Sequence, residues 1–442
     1  MTKTQKILQQ LREYESRNVT FIEADGSWPV VWERARGANV WDADGRKYLD
    51  LTAAFGVAAA GHANPRVVRA GQKQMEKLLH AMGDVHPHAL KATLAQELSR
   101  LTFQRWAGQF KSKNGKLKTE KARAKTIFCN SGFEAVEAGL KTAMLATSKP
   151  GVIAFEGGYH GLGYGTLNAT HREHFRGPFL KQIGGFAEFV GFPVTPRQLK
   201  RSLSEIRDLL HYKEIGAVLV EPVQARGGIN VPLPAFLPEL RRLCDDYGAL
   251  LVLDEVYTGF GRTGKWFACE HTGTVPDVIC LGKALTGGFP LSACVGRADL
   301  MDAAWPVSGG EAIHTSTFLG HPVGCAMALA QIEEIRAKKL VQRSAQLGNF
   351  LLRELRKNIT FAQFEISIRG VGLMAGVELC LHGRVPATIV SLRIIKEMLH
   401  RGFVLLPEGA NANVISFTPP LTITRAQLSA AVKALQQSLH AT

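Results

Sequence analysis

Residues 250–256 read LLVLDEV, and residues 278–283 read VICLGK. Each stretch is a short run of apolar side chains with a charged one at or near its end: Asp254 in the first and, 29 positions later, Lys283 in the second. Strands of a parallel sheet are buried on both faces, so they read as unbroken apolar runs. Because open α/β sheets bind ligands at the carboxyl ends of their strands, the two stretches predict an acid and an amine at one ligand-binding edge.

Similar runs alternate with amphipathic stretches along the middle of the chain. Apolar runs at residues 126–129, 152–155 and 217–220 predict further strands, and the periodicity of residues 133–144 and 235–247 predicts helices. This alternation indicates an α/β fold with a mostly parallel central sheet.

The two chain ends predict a second, smaller unit. Its strand-like, hairpin-like and helical patterns occur at residues 38–41, 47–51, 324–357, 366–379 and 425–440. We therefore expect a large domain at residues 61–325, with a small α+β lobe formed by residues 1–60 and 326–442.

The composition is that of an ordinary globular protein. The chain has 442 residues, of which 46% are hydrophobic and 21% charged. Its seven cysteines are scattered, without a CxxC pair or a cluster at zinc-binding spacing, so we expect reduced thiols, no metal and a cytoplasmic location. The N-terminal residues contain no apolar signal-like core, and no run of about 18 apolar residues predicts a membrane span.

The formal net charge is +15, part of which comes from the basic run KSKNGKLKTEKARAK at residues 111–125. This run is typical of a solvated loop. A basic surface allows a nucleic-acid partner, but no recognition motif accompanies it, so nucleic-acid binding is a remote alternative. A phosphate-bearing cofactor or an acidic substrate explains positive charge equally well.

Asp254 and Lys283 together suit pyridoxal 5'-phosphate. A lysine amine forms an imine with the cofactor's aldehyde, and an aspartate keeps the pyridine nitrogen protonated, so that the ring accepts electrons from the substrate carbon. The same lysine then serves as the base that moves a proton. Asp254 alone would be interpreted as a helix cap or a structural ion pair, and Lys283 alone as a surface amine.

Three loops add residues of suitable chemistry. Ser131 and Gly132 precede a predicted helix, whose N-terminus can bind a phosphate, although such a pair is often only an N-cap. Tyr159, in the sequence GGYHG, can stack on a cofactor ring, and the neighbouring His160 is either an acid–base group or a hydrogen-bonded structural residue. Clustered hydroxyls at residues 315–317 indicate contacts with an anion, although three such residues in a row also occur in plain loops.

Taken together, these motifs resemble the class III aminotransferases of the fold-type I pyridoxal phosphate group. The family includes acetylornithine, ornithine and 4-aminobutyrate aminotransferases and glutamate-1-semialdehyde aminomutase. The resemblance extends over most of the chain, and it is carried by WDADG (41–45), GHANP (61–65), DEVYTGFGRTG (254–264), LGKALTGG (281–288) and RGVGLM (369–374).

The resemblance implies a role for each matching residue. Lys283 would be the Schiff-base lysine, Asp254 the partner of the pyridine nitrogen, and Tyr159 the stacking aromatic. Ser131 and Gly132 would hold the phosphate.

The resemblance also implies a partner subunit and a substrate contact. Thr317 would reach the phosphate in a neighbouring subunit, which implies a homodimer with shared active sites. Arg369 would bind the substrate's α-carboxylate, a contact that suits the planar guanidinium.

Two positions depart from the family pattern. Tyr257 stands where many members have a glutamine that contacts the cofactor's ring oxygen, so its hydroxyl either replaces that contact or the contact is lost. Arg226 stands where many ω-amino members have a glutamate that pairs with the carboxylate-binding arginine. With Arg369, Arg226 would form a doubly positive pocket that favours acidic substrates.

The expected activity is therefore transfer of an amino group between an amine or amino acid, possibly acidic or ω-amino, and a 2-oxo acid. An aminomutase or an amino-acid racemase or epimerase on the same fold remains an alternative, because fold alone does not select the reaction.

Overall fold

The computed structural model describes residues 1–109, 111–112, 115–116 and 122–440. Within the basic run at residues 111–125, residues 113–114 and 117–121 lie outside these ranges, so the predicted solvated loop stays a prediction. Within the described part of the chain, the helices are α1 (Lys3–Tyr14), α2 (Ala53–Gly56), α3 (Pro65–Lys77), α4 (Ala89–Leu101), α5 (Gly132–Thr147), α6 (Tyr164–Leu167), α7 (Glu173–Arg176), α8 (Pro196–Tyr212), α9 (Phe236–Tyr247), α10 (Ala298–Ala304), α11 (Pro322–Ala337), α12 (Leu340–Asn358), α13 (Thr388–His400) and α14 (Arg425–His440).

The strands of the same residues form a large central sheet, two smaller sheets and one short hairpin. They are β1 (Trp32–Arg36), β2 (Asn39–Asp42), β3 (Lys47–Asp50), β4 (Lys111–Ser112), β5 (Gly115–Lys116), β6 (Ala124–Cys129), β7 (Gly151–Phe155), β8 (Ala187–Val190), β9 (Ile215–Val220), β10 (Leu250–Asp254), β11 (Val278–Leu281), β12 (Ser292–Arg297), β13 (Glu365–Gly370), β14 (Ala375–Leu381), β15 (Val385–Pro386), β16 (Phe403–Val404), β17 (Leu406–Glu408) and β18 (Val414–Phe417).

The central sheet has the strand order β6-β12-β11-β10-β9-β7-β8. Strands β7 to β11 pair in parallel, and β12 runs antiparallel to its neighbours β11 and β6. Every residue of β9 and of β11 is buried, which is why both read as continuous apolar runs. The predicted α/β fold with a mostly parallel sheet is therefore confirmed.

Helix α5 packs against the central sheet through small side chains. Its buried positions include Ala135, Ala138 and Gly139. A Cβ atom on Gly139 would lie 3.2 Å from the sulfur of Cys280, so a larger residue here would require this neighbour to shift. Because α5 packs closely on the central sheet, its N-terminus is held at the carboxyl edge of that sheet.

The smaller sheets show how the two chain ends meet. Strands β1, β2 and β3 from the start of the chain are joined by β16, which pairs in parallel with β3. The other sheet, ordered β13-β14-β18-β17, belongs wholly to the C-terminal part. Strands from both chain ends therefore share one sheet, while the predicted division into a large domain and a small lobe stays a prediction.

The sequence patterns located several elements closely. The run at residues 278–281 is β11, and the terminal helix spans Arg425–His440 as predicted. Among the residues that the structure describes, none of the helices is both long enough and apolar enough to span a bilayer.

Candidate active site

Asp254 and Lys283 lie at the ends of two neighbouring parallel strands. Asp254 is the last residue of β10, and Lys283 follows β11 after a single glycine. Both line one cavity of about 370 Å³ at the carboxyl edge of the sheet. Its other lining residues are Gly132, Phe133, Tyr159, His160, Gly161, Leu162, Glu221, Ala225, Arg226, Val256 and Tyr257. The structure thus brings together most of the residues expected from the sequence.

Asp254 is held rigidly by two donors. Its Oδ2 atom lies 2.8 Å from Nδ1 of His160, and its Oδ1 atom accepts from the backbone N–H of Val256 at 3.0 Å. The residue is 6% exposed, and His160 is 3% exposed. Nε2 of His160 is buried and has no hydrogen-bond partner among the described residues. The carboxylate is therefore fixed in one orientation beside the cavity.

Lys283 sits in a strained turn. Its φ of 40° lies in the left-handed region, which a residue with a side chain adopts at a cost of about 1–3 kcal/mol. The amine lies 4.6 Å from the ring centre of Tyr257. Burial lowers the pKa of Lys283, and the negative charges of Asp254 and Glu221 oppose that shift. The amine is thus easier to deprotonate than an exposed lysine.

The N-terminus of α5 forms a turn that can hold a phosphate. Oε2 of Glu134 accepts from the backbone N–H groups of Asn130 and Ser131, at 2.9 and 2.6 Å, and from the Ser131 hydroxyl at 3.0 Å. A Cβ atom on Gly132 would lie 2.9 Å from Val256, so the position must be small. The first helical N–H groups and the helix dipole favour an anion here.

Tyr159 and the buried Glu221 are linked. Oε1 of Glu221 accepts from the N–H of Tyr159 at 3.0 Å, and Oε2 accepts from the N–H of Ala225 at 3.1 Å. Burial raises the pKa of Glu221 to about 7. Sequence reasoning missed this residue. Glu221 directly follows the buried strand β9, which is the position expected for a residue at the ligand-binding edge of the sheet.

Arg226 lines the cavity and pairs with an acid from the C-terminal part of the chain. Its Nε atom lies 3.3 Å from Oε2 of Glu408, at the end of β17. Its Cζ atom lies 5.4 Å from the ring centre of Tyr159 and 5.9 Å from that of Phe55. Glu408 was not among the predicted site residues, because no local motif marks it.

Arg369 has partners other than the expected ones. Its guanidinium donates to the carbonyl oxygen of Gly228 at 2.7 Å from Nη2 and 3.0 Å from Nε, and forms an ion pair with Glu378 at 2.6 Å. It is not one of the residues that line the cavity. Its donors hold the loop after β9 against β13. The expected role of Arg369 at the substrate carboxylate, with Arg226 as a second positive charge, stays a prediction.

Tyr257 lines the cavity, but its hydroxyl is engaged elsewhere. That hydroxyl lies 3.0 Å from Oγ1 of Thr418, and burial raises the pKa of Tyr257 to about 12. The ring, rather than the hydroxyl, faces the Lys283 amine.

Thr317 is exposed on the segment between α10 and α11. Next to it, the Oγ atom of Ser316 lies 3.4 Å from the side-chain nitrogen of Asn130. The segment therefore runs beside the phosphate-binding turn of its own chain, with Thr317 open to the surroundings.

A left-handed turn, α2, lies next to the cavity and was not anticipated. Ala53, Ala54 and Phe55 have φ values of 48°, 49° and 60°. The buried Asp50 supports the turn by accepting from the N–H groups of Thr52 and Ala54, at 2.8 and 3.2 Å. A Cβ atom on Gly56 would lie 2.9 Å from the Tyr257 ring, so α2 packs directly on a cavity wall.

These residues fit pyridoxal 5'-phosphate. The amine of Lys283 suits the aldehyde, and the fixed carboxylate of Asp254 suits a protonated ring nitrogen. The N-terminus of α5 suits the phosphate. Because Gly132 has no side chain, its backbone N–H group is not covered and can approach an anion. The unpartnered Nε2 of His160 shows that the cavity floor is polar.

Comparison with known proteins identifies the family. The family model of class III aminotransferases matches residues 21–439. The chain is 35% identical over 421 residues to acetylornithine aminotransferase from Methanosarcina mazei, an alignment that covers 94% of this chain and 93% of the relative. It is 36% identical over 408 residues to 5-aminovalerate aminotransferase DavT from Pseudomonas aeruginosa, covering 90% and 91%.

A solved structure supports the same assignment. An amine transaminase from an uncultivated Pseudomonas species, in its PLP-bound form, superimposes with a TM-score of 0.86 at 27% identity, covering 97% of this chain and 98% of the other. The family match across nearly the whole chain and the fit of the site to the cofactor lead to one conclusion. The protein belongs to the class III aminotransferases and is a pyridoxal 5'-phosphate-dependent enzyme.

Proposed function

We propose that Lys283 carries the cofactor and moves the proton of the amino transfer. Bound pyridoxal phosphate supplies an aldehyde that condenses with amines and a ring that withdraws electrons from the reacting carbon. The Nζ atom of Lys283 would hold the cofactor's aldehyde carbon, and as a free amine it would carry a proton to and from the substrate carbon. Burial lowers the pKa of Lys283, which favours the neutral amine that these roles require.

Asp254 keeps the ring nitrogen protonated, and His160 positions Asp254. Tyr159 stacks on the ring, while Ser131 and Gly132 bind the phosphate at the start of α5. Tyr257 presents its ring to Lys283 and limits the space around the amine. The placement of Asp254 and Lys283 at the ends of β10 and β11, beside one cavity, supports these roles most directly.

The amino donor, in this proposal, has a primary amine at one end and a second charged group at the other. The relatives named for acetylornithine and 5-aminovalerate support an ω-amino donor. Arg226, which lines the cavity, supplies a positive charge for the carboxylate of a 2-oxo acid or of the donor.

The working unit is a homodimer. Two segments that carry exposed apolar side chains meet on the surface, since the ring centres of His80 and Phe318 lie 5.3 Å apart and Thr315 donates to Asp84 at 2.7 Å. We define their exposed apolar side chains, Leu79, Met82, Val85, Ile313 and Phe318, as the apolar patch. Exposed patches of this kind mark interfaces. A second copy seated there brings its Thr317 towards the phosphate turn of the first.

The compartment we propose is the cytoplasm. The cysteines of the chain are all free, and all except Cys380 are buried, which suits a reducing environment.

Reduction of the holoenzyme with borohydride, followed by peptide mapping, tests the central role. The cofactor is expected on Lys283, and Lys283→Ala should lose both the fixed cofactor and the amino transfer. Label on another lysine would refute the assignment. Mixing the enzyme with an amine and no 2-oxo acid should stop the reaction after one half-turnover, whereas an aminomutase or racemase would continue.

A further inference from the structure

Four consecutive residues next to the cavity have a left-handed backbone. Ala53, Ala54 and Phe55 have φ values of 48°, 49° and 60°, and Gly56 follows with a φ of 82°. Glycine adopts this conformation readily, whereas a residue with a side chain adopts it only where its surroundings compensate for the strain. The turn α2 must therefore be held in place by specific contacts.

Asp50 supplies contacts at the start of α2. Its carboxylate is completely buried and accepts from the N–H and the hydroxyl of Thr52, at 2.8 and 2.6 Å, and from the N–H of Ala54 at 3.2 Å. Nε2 of His62 lies 2.7 Å from Oδ2 of the same carboxylate. Because this charged acceptor engages backbone N–H groups at the beginning of the turn, it fixes the path of the chain there.

His62 connects this carboxylate to the N-terminal strands. The backbone of His62 pairs with that of Gly37, which lies between β1 and β2, through hydrogen bonds of 2.8 and 2.9 Å. Its ring packs edge to face against Trp32, with ring centres 5.7 Å apart. His62 is therefore held from two sides, and its contact with Asp50 anchors α2 to the sheet of β1, β2 and β3.

The path of α2 determines where the ring of Tyr257 lies. The backbone at Gly56 packs on that ring, since a Cβ atom there would lie 2.9 Å from it. The hydroxyl of Thr418 donates to the carbonyl oxygen of Thr52 at 3.1 Å, so the Tyr257 hydroxyl donates to Thr418 at 3.0 Å. Tyr257 is thus fixed by α2 at its ring and by Thr52, through Thr418, at its hydroxyl.

The ring of Tyr257 in turn faces Lys283. The amine lies 4.6 Å from the ring centre, and α2 also contacts the turn Lys283–Leu285. The face of an aromatic ring attracts positive charge, so this ring favours the protonated state of the Lys283 nitrogen. A displacement of α2 would therefore be felt at the reacting amine.

We propose that Asp50 and His62 are positioning residues of the amino transfer, an inference that rests on the role proposed for Lys283. The two residues hold α2 in its left-handed form, and α2 holds the ring of Tyr257 against the Lys283 amine. Asp50 and His62 are not among the residues that line the cavity. Their effect on the reaction therefore passes through α2.

Hydrogen exchange tests the first step without use of the cofactor. His62→Ala removes the anchor but leaves the hydrogen bonds of Asp50 to Thr52 and Ala54. We expect backbone amide exchange across residues 51–59 to become about tenfold faster or more, because α2 relaxes when it is no longer anchored. Mass spectrometry of the peptides that cover these residues measures the change.

The absorbance of the holoenzyme tests the second step. The bound cofactor absorbs differently when the nitrogen attached to it is protonated, so a pH titration gives the midpoint for Lys283. In His62→Ala this midpoint should fall by about half a unit to one unit, because the ring no longer favours the protonated state. The charged groups that act on Lys283 are unchanged in this variant: Asp254, Glu221, Arg226 and Glu408.

Steady-state kinetics gives a third readout. In His62→Ala, kcat should fall about threefold to tenfold while KM changes less, because the reacting amine is misplaced and the substrate contacts remain. Asp50→Asn should change the midpoint and kcat in the same direction. If Asp50→Asn does not fold, His62→Ala still carries the test.

Glycine in the strained turn provides the decisive comparison. Because glycine adopts a left-handed backbone without strain, adding Ala54→Gly to His62→Ala should recover about half or more of the midpoint shift and of the lost kcat. Arg384→Gly is the matched control, since Arg384 has a φ of 61° in the turn between β14 and β15. Added to His62→Ala, it should recover neither quantity.

The possible outcomes separate this inference from the proposed function. An unchanged midpoint in folded His62→Ala would overturn the inference. Equal recovery by Ala54→Gly and Arg384→Gly would overturn it too, as would the same midpoint shift in Gly348→Ala, because the effect would then follow general stability. If borohydride fixed the cofactor of the wild-type enzyme to a lysine other than Lys283, the proposed function itself would fail.

Discussion

Nδ1 of His160 lies 2.8 Å from Oδ2 of Asp254, and both residues are almost completely buried at the floor of the cavity. The two residues are far apart in the chain, and the loop after β7 brings the histidine to the end of β10. The pair fixes the orientation of the carboxylate that we assign to the cofactor's ring nitrogen. His160 is therefore a positioning residue.

Replacing His160 should weaken the cofactor site. For His160→Ala we expect the Kd for pyridoxal phosphate to rise about tenfold to a hundredfold, because a hydrogen bond to a buried charged group is worth about 1.5–3 kcal/mol. Fluorescence titration of the apoenzyme measures this. His160→Gln, which keeps a donor, should recover part of the affinity, and His211→Ala, on the exposed face of α8, serves as the control. An unchanged Kd in His160→Ala would contradict the role.

Reversing the charge of Arg226 should change substrate selectivity. For Arg226→Glu we expect KM for 2-oxoglutarate to rise about tenfold or more, because a like charge replaces the partner of the distal carboxylate next to the buried Glu408. KM for pyruvate, which has no distal carboxylate, should change much less. Steady-state kinetics with both acceptors measures the ratio. Unchanged selectivity would refute a substrate role for Arg226.

The affinity for diacids should depend on pH through Glu408. Burial raises the pKa of Glu408 to about 7, from an ordinary value of 4.5. Below pH 7 the carboxyl group is mostly neutral, so Arg226 has no counter-ion and binds a distal carboxylate better. KM for 2-oxoglutarate should therefore rise as the pH increases from 6 to 8. Glu408→Gln should flatten this profile, and a profile of the same slope in the variant would contradict the prediction.

Gly348 should tolerate no side chain. It lies within α12, and a Cβ atom there would be 2.0 Å from the carbonyl oxygen of Gly372. We expect Gly348→Ala to lower the free energy of unfolding by about 1–3 kcal/mol, because backbone must move to relieve the overlap. Gly184→Ala, whose Cβ would meet its nearest atom at 3.7 Å, should have little effect. Thermal unfolding of both holoenzyme variants measures the difference. Equal unfolding midpoints for Gly348→Ala and Gly184→Ala would show that α12 moves to admit the methyl group without loss of stability.

Charges placed in the apolar patch should separate the proposed dimer. For Val85→Glu and Ile313→Glu we expect a monomer in sedimentation velocity and a loss of amino transfer, because Thr317 of the partner subunit would no longer reach the phosphate. Tyr212→Glu changes an exposed aromatic residue on α8, outside the apolar patch, and should leave the assembly intact. A wild-type protein that sediments as a monomer, yet is fully active, would refute the shared site.

Residues next to strand ends were predictable, and residues brought in by the C-terminal part of the chain were not. Asp254 and Lys283 could be located because β10 and β11 are buried apolar runs with charged residues at or just after their ends. Arg369 shows what a motif leaves unspecified, since its guanidinium donates to the carbonyl oxygen of Gly228 and pairs with the carboxylate of Glu378. A motif specifies which residue is present, but the surrounding backbone decides which partners its donors reach.

Periodicity and local motifs were sufficient for the α/β fold, the sheet edge and the chemistry of the cofactor, because each depends on residues close together in the chain. The pairing of Arg226 with Glu408, the contact of His160 with Asp254 and the left-handed turn at α2 depend on contacts between distant segments. Such contacts are selected by packing and by the cost of burying unpaired charge, and neither leaves a local pattern. The pairing of Arg226 with a buried acid was therefore decided only when β17 folded against the loop that follows β9.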